Sequence, residues 1–433
     1  MIEHYEFIVI GGGIAGLHIG ALLSQHGKVL VLEKEKIIGG RAKVVEIGGF
    51  KLDYGPHPIR FGPKSPLGKS LIEIGKPIEF IKPGDFWALL DDGTKTIFPA
   101  GDAKAVKKST MVPFMDTVNL ILRIKMKMND QDFEALYDTS LEDWIKQEQI
   151  IPKLQGYLIM TSSAVQVNPF PKRVSVGELL HTVRKILDIG SIFYPKGGWG
   201  EIFSRFSDKI KENGEIRLSS DVKQIIVENG KAKGVKIGNK VIKGEKIIST
   251  IPVQQLFTIL DENLCDKDFV DKCKNLRPTA GISIDFCLDK PITDMDFFFL
   301  EKPLAFGFVP SNLSDEIVPK GKSLISFFSA KNREDIRDKN RAKELHRELR
   351  DSIIRFFPDI EQNTLHERPL FFEMVDGVEA NIYQHRLKRP TNIIENIENF
   401  YLAGDSVGGG KGSSGGDIGH SSTRKCYKLV MKK

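Results

Sequence analysis

The chain has 433 residues, 41% apolar and 28% charged, with a formal net charge of +6. That length predicts two cores rather than one, and that composition a globular protein. The charge is small for the size and spread along the chain, which argues against nucleic acid as a partner.

In chain order, the first stretch to weigh is Phe7 to Gly27, which carries no formal charge and is long enough to span a bilayer. It is preceded by Glu3 and Glu6 rather than a basic start, and three glycines, Gly11 to Gly13, interrupt it. Neither a signal peptide nor a membrane span is expected there. A second uncharged run, Leu154 to Pro171, contains Gln155, Thr161, Gln166, Asn168 and two prolines and is excluded in the same way. The four cysteines, Cys265, Cys273, Cys287 and Cys426, form no CxxC and no cluster with histidine. Reduced thiols in a cytoplasmic protein are expected, with neither a disulfide framework nor a metal site.

The segment "EFIVIGGGIAGLHIGALLSQHGKVLVLEK" predicts strand, turn, helix, strand. "FIVI" and "VLVLE" are short apolar runs suited to buried parallel strands, and Ile14 to Gln25 has helical apolar spacing. Between them lies Gly11-x-Gly13-x-x-Gly16. Its first glycine makes the tight turn, its second lets a pyrophosphate approach the backbone, and its third lets helix and strand pack closely. The amides around Ile14 and Ala15 open the helix, whose N-terminus favours phosphate charge. Glu33 ends the second strand twenty-two residues after Gly11, where an acid accepts from a ribose 2′-hydroxyl, and Lys34 follows it. Six residues on come Gly39, Gly40 and Arg41. A second close backbone approach beside a fixed cation suits a dinucleotide whose pyrophosphate continues past the first loop.

These residues resemble the N-terminal signature of the flavin amine oxidase and phytoene desaturase superfamily of FAD enzymes. Further segments match in order: "GGFKLDYGPHPIR" (48–60), "YPKGGWGEIFSRF" (194–206), "SSDVKQIIVENGKAKGV" (219–235) and "NFYLAGDS" (399–406). The sequence departs from the pattern at Val44, where the family usually has Ser or Thr. The resemblance implies FAD as cofactor. It implies that Val222 touches the adenine through its backbone, and that Gly404 and Asp405 meet the ribityl–phosphate part. Eight of the seventeen residues from Gly404 to His420 are glycine, which lets the chain cross a flavin without side-chain collisions. From Asp417 and Ile418 a closing helix is expected, its N-terminus at the pyrimidine edge of the flavin, where negative charge develops on reduction.

The resulting expectation is an α/β protein with a discontinuous Rossmann-like FAD domain of the GR2 type and a second, mixed α+β substrate domain. The first would comprise 1–85, 195–260 and 388–433, and the second 86–194 and 261–387. "VKQIIVE-NG-KAKGVKI-GN-KVIKG" predicts an antiparallel meander, and "KIISTIP" a buried strand after it. Helices are expected over 104–128, 140–150, 173–189 and 338–357. The run "KNREDIRDKNRAKELHRELRD" reads as a solvated surface helix without a functional role.

Amine oxidases of this superfamily carry a lysine near the flavin, and "NLRPTAGISIDFCLD" (275–289) has none. The aromatic positions of their amine cage are filled by Ser413, Ser414, Gly415 and Gly416. Phenylalanines are dense instead in "DMDFFFLEKPLAFGFVP" (294–310) and "RPLFFEMV" (368–375). They are expected chiefly as core, but a pocket with few charges suits an isoprenoid-like or other extended apolar substrate. His57, Arg60, Tyr383 and His385 are the polar candidates near the flavin. The expected reading is an FAD-dependent oxidoreductase resembling phytoene desaturases, with an apolar small-molecule substrate and an electron acceptor that no motif identifies. An amine oxidase, a flavin isomerase without net redox change, and a prenyl-chain carrier of the Rab-GDP-dissociation-inhibitor kind stand as alternatives. Basic residues flanking an apolar stripe in 103–128 predict peripheral membrane contact.

Overall fold

Strand His4–Ile10 is buried along Phe7–Ile10, and strand Val29–Leu32 is buried throughout, as strands covered on both faces must be. A computed structural model describes residues 3–55, 58–100, 103–190 and 192–432. In it these two strands pair in parallel, Phe7 opposite Val29 and Ile10 opposite Leu32, and the helix Ile14–Leu23 crosses between them. Gly214–Arg217 extends the sheet on one side, and Lys240–Ser249 and then Phe400–Leu402 extend it on the other, all in parallel. The expected meander is present, with Val222–Glu228 and Lys231–Ile237 paired around Asn229 and Gly230, both at positive φ. Its third strand and the buried return strand prove to be one element. Lys240–Ser249 begins antiparallel to the meander and continues beside His4–Ile10.

A second seven-stranded sheet runs in the order Thr364–Phe372, Ala280–Leu288, Ser323–Lys331, Ala305–Phe308, Phe297–Leu300, Phe86–Leu89, Lys95–Ile97. The two-residue period of a strand divides its phenylalanines. Phe298 and Phe327 turn to one face and pack with Phe357, just beyond the helix Lys339–Phe356, at centroid separations of 5.1–5.9 Å. Phe297, Phe299, Phe306 and Phe328 turn to the other face and line a cavity. The Phe-rich runs are therefore half core and half wall. The helix Lys339–Phe356 buries Ala342, Leu345, Leu349 and Ile353 and leaves its charges to solvent, as its pattern predicts.

The segment 103–128 is not one helix. Ala103–Lys108 and Phe114–Leu122 are separate, and Pro113, which has no N–H for a continuous ladder, stands between them. A π-helical turn, Arg123–Lys127, follows. The predicted helices over 140–150 and 173–189 appear as Leu141–Gln147 and Val176–Ile189, each started by a serine cap, Ser140 and Ser175. The uncharged run after Leu154 lies largely in a helix, Pro152–Gln166, for which the sequence offered no amphipathic pattern. Among the described residues no helix is long and apolar enough to cross a membrane.

Candidate cofactor and substrate site

The first turn is built by backbone. Gly11 holds φ +104° and donates its N–H to the Leu32 carbonyl at 2.8 Å. A Cβ on Gly16 would stand 1.9 Å from the Gly11 carbonyl oxygen, so only glycine lets the helix start this close to the strand. Glu33 is buried and works locally as well: Oε2 accepts from the Gly12 N–H at 2.6 Å and Oε1 from Glu35 N–H at 2.9 Å. The second glycine pair docks edge to edge on the first. Gly39 N–H donates to the Gly12 carbonyl at 2.9 Å, and Gly39 and Gly40 take φ of +109° and +58°. Gly13 and Gly40 pack backbone to backbone: a Cβ on Gly40 would stand 3.1 Å from Gly13 Cα, and one on Gly13 would meet only Gly40 Cα at 3.9 Å.

Arg41 joins this cradle to the C-terminal part of the chain. Its Nη2 donates to Asp405 Oδ1 and its Nη1 to the Val375 carbonyl, each at 2.6 Å, while Gly377 N–H donates to Asp405 Oδ2 at 2.7 Å. Burial works against the Asp405 carboxylate, but the Arg41 charge and hydrogen bond outweigh it and hold Asp405 below its ordinary value. Asp376, beside them, is pushed up to about 7 by burial and by the Asp405 charge. Gly404 turns the chain at φ +125° just after the strand Phe400–Leu402. The glycine-rich stretch leads into the closing helix Gly416–Met431, which has Asp417 and Ile418 in its first turn. Val222 is buried at the start of the meander, and Lys34 is exposed just after Glu33.

A cavity opens from this polar end into the aromatic face of the second sheet. Arg41, Arg60, Asp376, Asp417 and His420 line one part of it; Phe86, Phe98, Phe297, Phe299, Phe306 and Phe328 line another. Helix Pro152–Gln166 contributes Tyr157, Thr161, Ala164 and Val165. Burial raises the Tyr157 hydroxyl to about 12, and it donates to the Pro99 carbonyl at 2.8 Å, so it stays neutral. Arg60 is spent on backbone: it donates to the carbonyls of Ser414 and Val165 at 2.5 Å and to Ser414 Oγ at 2.7 Å. It thus ties the glycine-rich loop to the end of helix Pro152–Gln166.

Two of the polar candidates do not belong to this cavity. Tyr383 is 73% exposed, on a turn that carries it outward. His385 is buried elsewhere, with Nε2 3.2 Å from Asp138 Oδ1 and its ring against Tyr137. His57 lies outside the described residues. Asp376, His420 and Lys185 are brought to the site although no motif marks them. Lys185 pairs with Asp417 from the helix Val176–Ile189, 232 residues earlier in the chain.

Residues 14–414 match the family model described as flavin containing amine oxidoreductase. The chain belongs to that family. It is 26% identical over 387 residues to a 4,4′-diapophytoene desaturase of Methylomonas, covering 75% of this chain and 73% of the relative. It is 25% identical over 391 residues to the chloroplastic prolycopene isomerase of Daucus carota, covering 77% of this chain and 62% of that one. An oxidoreductase from Methanosarcina mazei shares the fold with a TM-score of 0.82 at 21% identity, over 98% and 99% of the two chains. The protein is an FAD-dependent oxidoreductase with an α/β fold. The residues present fit the cofactor. The Gly11–Gly16 and Gly39–Gly40 turns present bare backbone of the kind a pyrophosphate approaches, and two buried atoms of cavity-lining residues, Asp417 Oδ1 and His420 Nδ1, have no partner among the described residues.

Proposed function

We propose that this flavoenzyme introduces or removes C–C double bonds in an extended apolar substrate of the isoprenoid or carotenoid class. One observation carries the reading: the cavity that starts at the flavin cradle continues into phenylalanine, and its cations are already engaged. Arg41 is held by Asp405 and Arg60 by carbonyl oxygens, so neither is left to recognise a charged headgroup. A neutral hydrocarbon makes no demand on them and gains by leaving water for an aromatic wall. The buried strand Ala280–Leu288 supplies no lysine, and Ser414 and Gly415 leave no aromatic cage, both of which disfavour an amine. The relatives include a 4,4′-diapophytoene desaturase and a prolycopene isomerase.

In this reading Gly11, Gly13, Gly16, Gly39 and Gly40 hold the pyrophosphate, Glu33 and Val222 the adenosine end, and Asp405 with Arg41 the ribityl–phosphate part. Bound FAD supplies the two-electron chemistry, accepting or returning a hydride. The chain itself positions the hydrocarbon between the aromatic face of the second sheet and the helix Pro152–Gln166, and keeps water away from it. The helix Phe114–Leu122 is the proposed contact with lipid. It buries only Thr117, presents Phe114, Met115 and Leu122 to solvent, and places Ile121 in the cavity lining. An apolar substrate could then pass from bilayer to cavity beside Ile121 without crossing water.

The test is anaerobic absorption of the purified flavoprotein. An acyclic isoprenoid polyene in detergent micelles should bleach the oxidised flavin, or reoxidise flavin that has been chemically reduced. Primary, secondary and polyamines should leave it unchanged. Rapid bleaching by a simple amine overturns the reading.

A further inference from the structure

The carboxylate of Asp417 is held between two different spaces. Its side chain is 3% exposed, and Oδ2 accepts from Lys185 Nζ at 2.9 Å. Oδ1, in the wall of the cofactor cavity, is buried and has no partner among the described residues. One turn further along the same helix, His420 offers a second orphan to that cavity, Nδ1, and burial holds this imidazole neutral, with a pKa pushed down to about 4. Two unpartnered buried atoms on one helical turn imply a ligand with polar atoms at that place. Lys185 lies on the opposite side of the carboxylate. Its Nζ rests 4.6 Å from the Phe61 ring centroid, and the residue also lines a separate recess with His181, Arg184, Asp188 and Lys411. The lysine is thus the layer between solvent and the carboxylate, and the carboxylate is the layer between the lysine and the cofactor.

Reduction adds electrons to the flavin, and the charge that accumulates is felt by fixed charges at its polar edge. An unpaired carboxylate there, in a dry site, would resist reduction, and a cation one side chain away offsets it. We propose that the Lys185–Asp417 pair sets the reduction potential of the bound flavin, with Lys185 a positioning residue that acts through Asp417. The inference rests on Asp417 facing the flavin, and it is independent of which substrate the enzyme takes. The pair also spans two parts of the chain, since Lys185 belongs to a helix of the cavity wall and Asp417 to the helix that closes the cofactor site.

The test measures the midpoint potential of flavin-loaded wild type, Lys185→Met, Lys185→Arg and Asp417→Asn by equilibration with a reference dye at pH 8, with no substrate present. Lys185→Met should move the flavin–dye equilibrium at least tenfold toward oxidised flavin, about 30 mV downward for a two-electron couple. Asp417→Asn, which keeps the lysine and removes the opposing charge, should move it the other way. Lys185→Arg should stay within threefold of wild type. Unchanged potentials in both Lys185→Met and Asp417→Asn overturn the proposal. So does loss of flavin from both variants, which would make the pair a structural tie. Because no substrate enters the measurement, its failure leaves the apolar-substrate reading standing, and an amine that bleaches the flavin would leave this proposal standing.

Discussion

Gly13 and Gly16 lie three residues apart and are glycine for different reasons. A Cβ at Gly16 would collide with the Gly11 carbonyl oxygen at 1.9 Å, whereas one at Gly13 meets only Gly40 Cα at 3.9 Å, in ordinary contact. Gly13 has φ −73°, which any residue adopts. Gly16→Ala should therefore lower stability by about 1–3 kcal/mol through overpacking and lose flavin with it. Gly13→Glu should fold with the melting temperature of flavin-free wild type but be colourless, because its carboxylate would stand against the pyrophosphate. Absorbance at the flavin bands per mole of protein, read beside thermal denaturation, separates the two; a yellow Gly13→Glu protein would contradict the assignment of this turn. The tight turn of Gly11 and the close packing at Gly16 were legible because these glycines and Glu33 fall at fixed spacing within one strand–helix–strand unit and meet one another there. Asp376, His420 and Lys185 were not, since they reach the cavity or Asp417 from segments in which no fixed spacing marks them.

At the scale of elements, the first and the closing helix meet through two imidazoles. His18 stacks on Phe206 at 5.2 Å and lies 6.1 Å from His420, and burial holds both neutral. The folded pKa is depressed in each case, so the unfolded chain binds more protons below the ordinary histidine value. Stability should then fall as pH drops from about 6.5 toward 4, with His420 contributing roughly 3 kcal/mol over that interval. Denaturation midpoints across it should fall less steeply for His420→Gln than for wild type; parallel slopes would refute the account. The segment 103–128 is where pattern reading went furthest astray, because a single apolar stripe was drawn across Pro113. In Phe114–Leu122 and the turn after it, Met115 is 62% and Met126 76% exposed. Wild type should float with anionic liposomes, and Met115→Asp, Leu122→Asp should remain with the soluble fraction at unchanged flavin content. Flotation that is equal for both proteins would exclude this helix as the contact.

Across the whole molecule, the parallel sheet could be read from its apolar runs, and the meander from its Asn-Gly and Gly-Asn turns. The second sheet could not be ordered that way. Phe86–Leu89, which carries its local partner Lys95–Ile97 at the sheet edge, joins Phe297–Leu300 from far earlier in the chain, and no local signal carries that pairing. What holds this sheet against the cofactor part includes one partly buried arginine, its side chain 13% exposed. Arg368, on the edge strand Thr364–Phe372, donates through Nε to Asp285 Oδ2 at 2.8 Å and through Nη2 to the Asp53 carbonyl. Its guanidinium lies 5.3 Å from the ring centroid of Tyr54, a residue of the cavity wall. Asp285 is 1% exposed, and burial pushes its carboxyl up even against the Arg368 charge. Removing one partner leaves the other charge buried alone, whereas removing both leaves only a packing change. Arg368→Met should accordingly cost about 3–5 kcal/mol and release flavin more readily. Arg368→Met combined with Asp285→Val should recover most of the stability but not the tie to Asp53, so its flavin should still dissociate faster than that of wild type. Urea midpoints and flavin release rates on the two variants report these effects separately. Equal stability loss in the single and double variants would mean that Arg368 acts through packing, and that the two parts of the molecule are held together elsewhere.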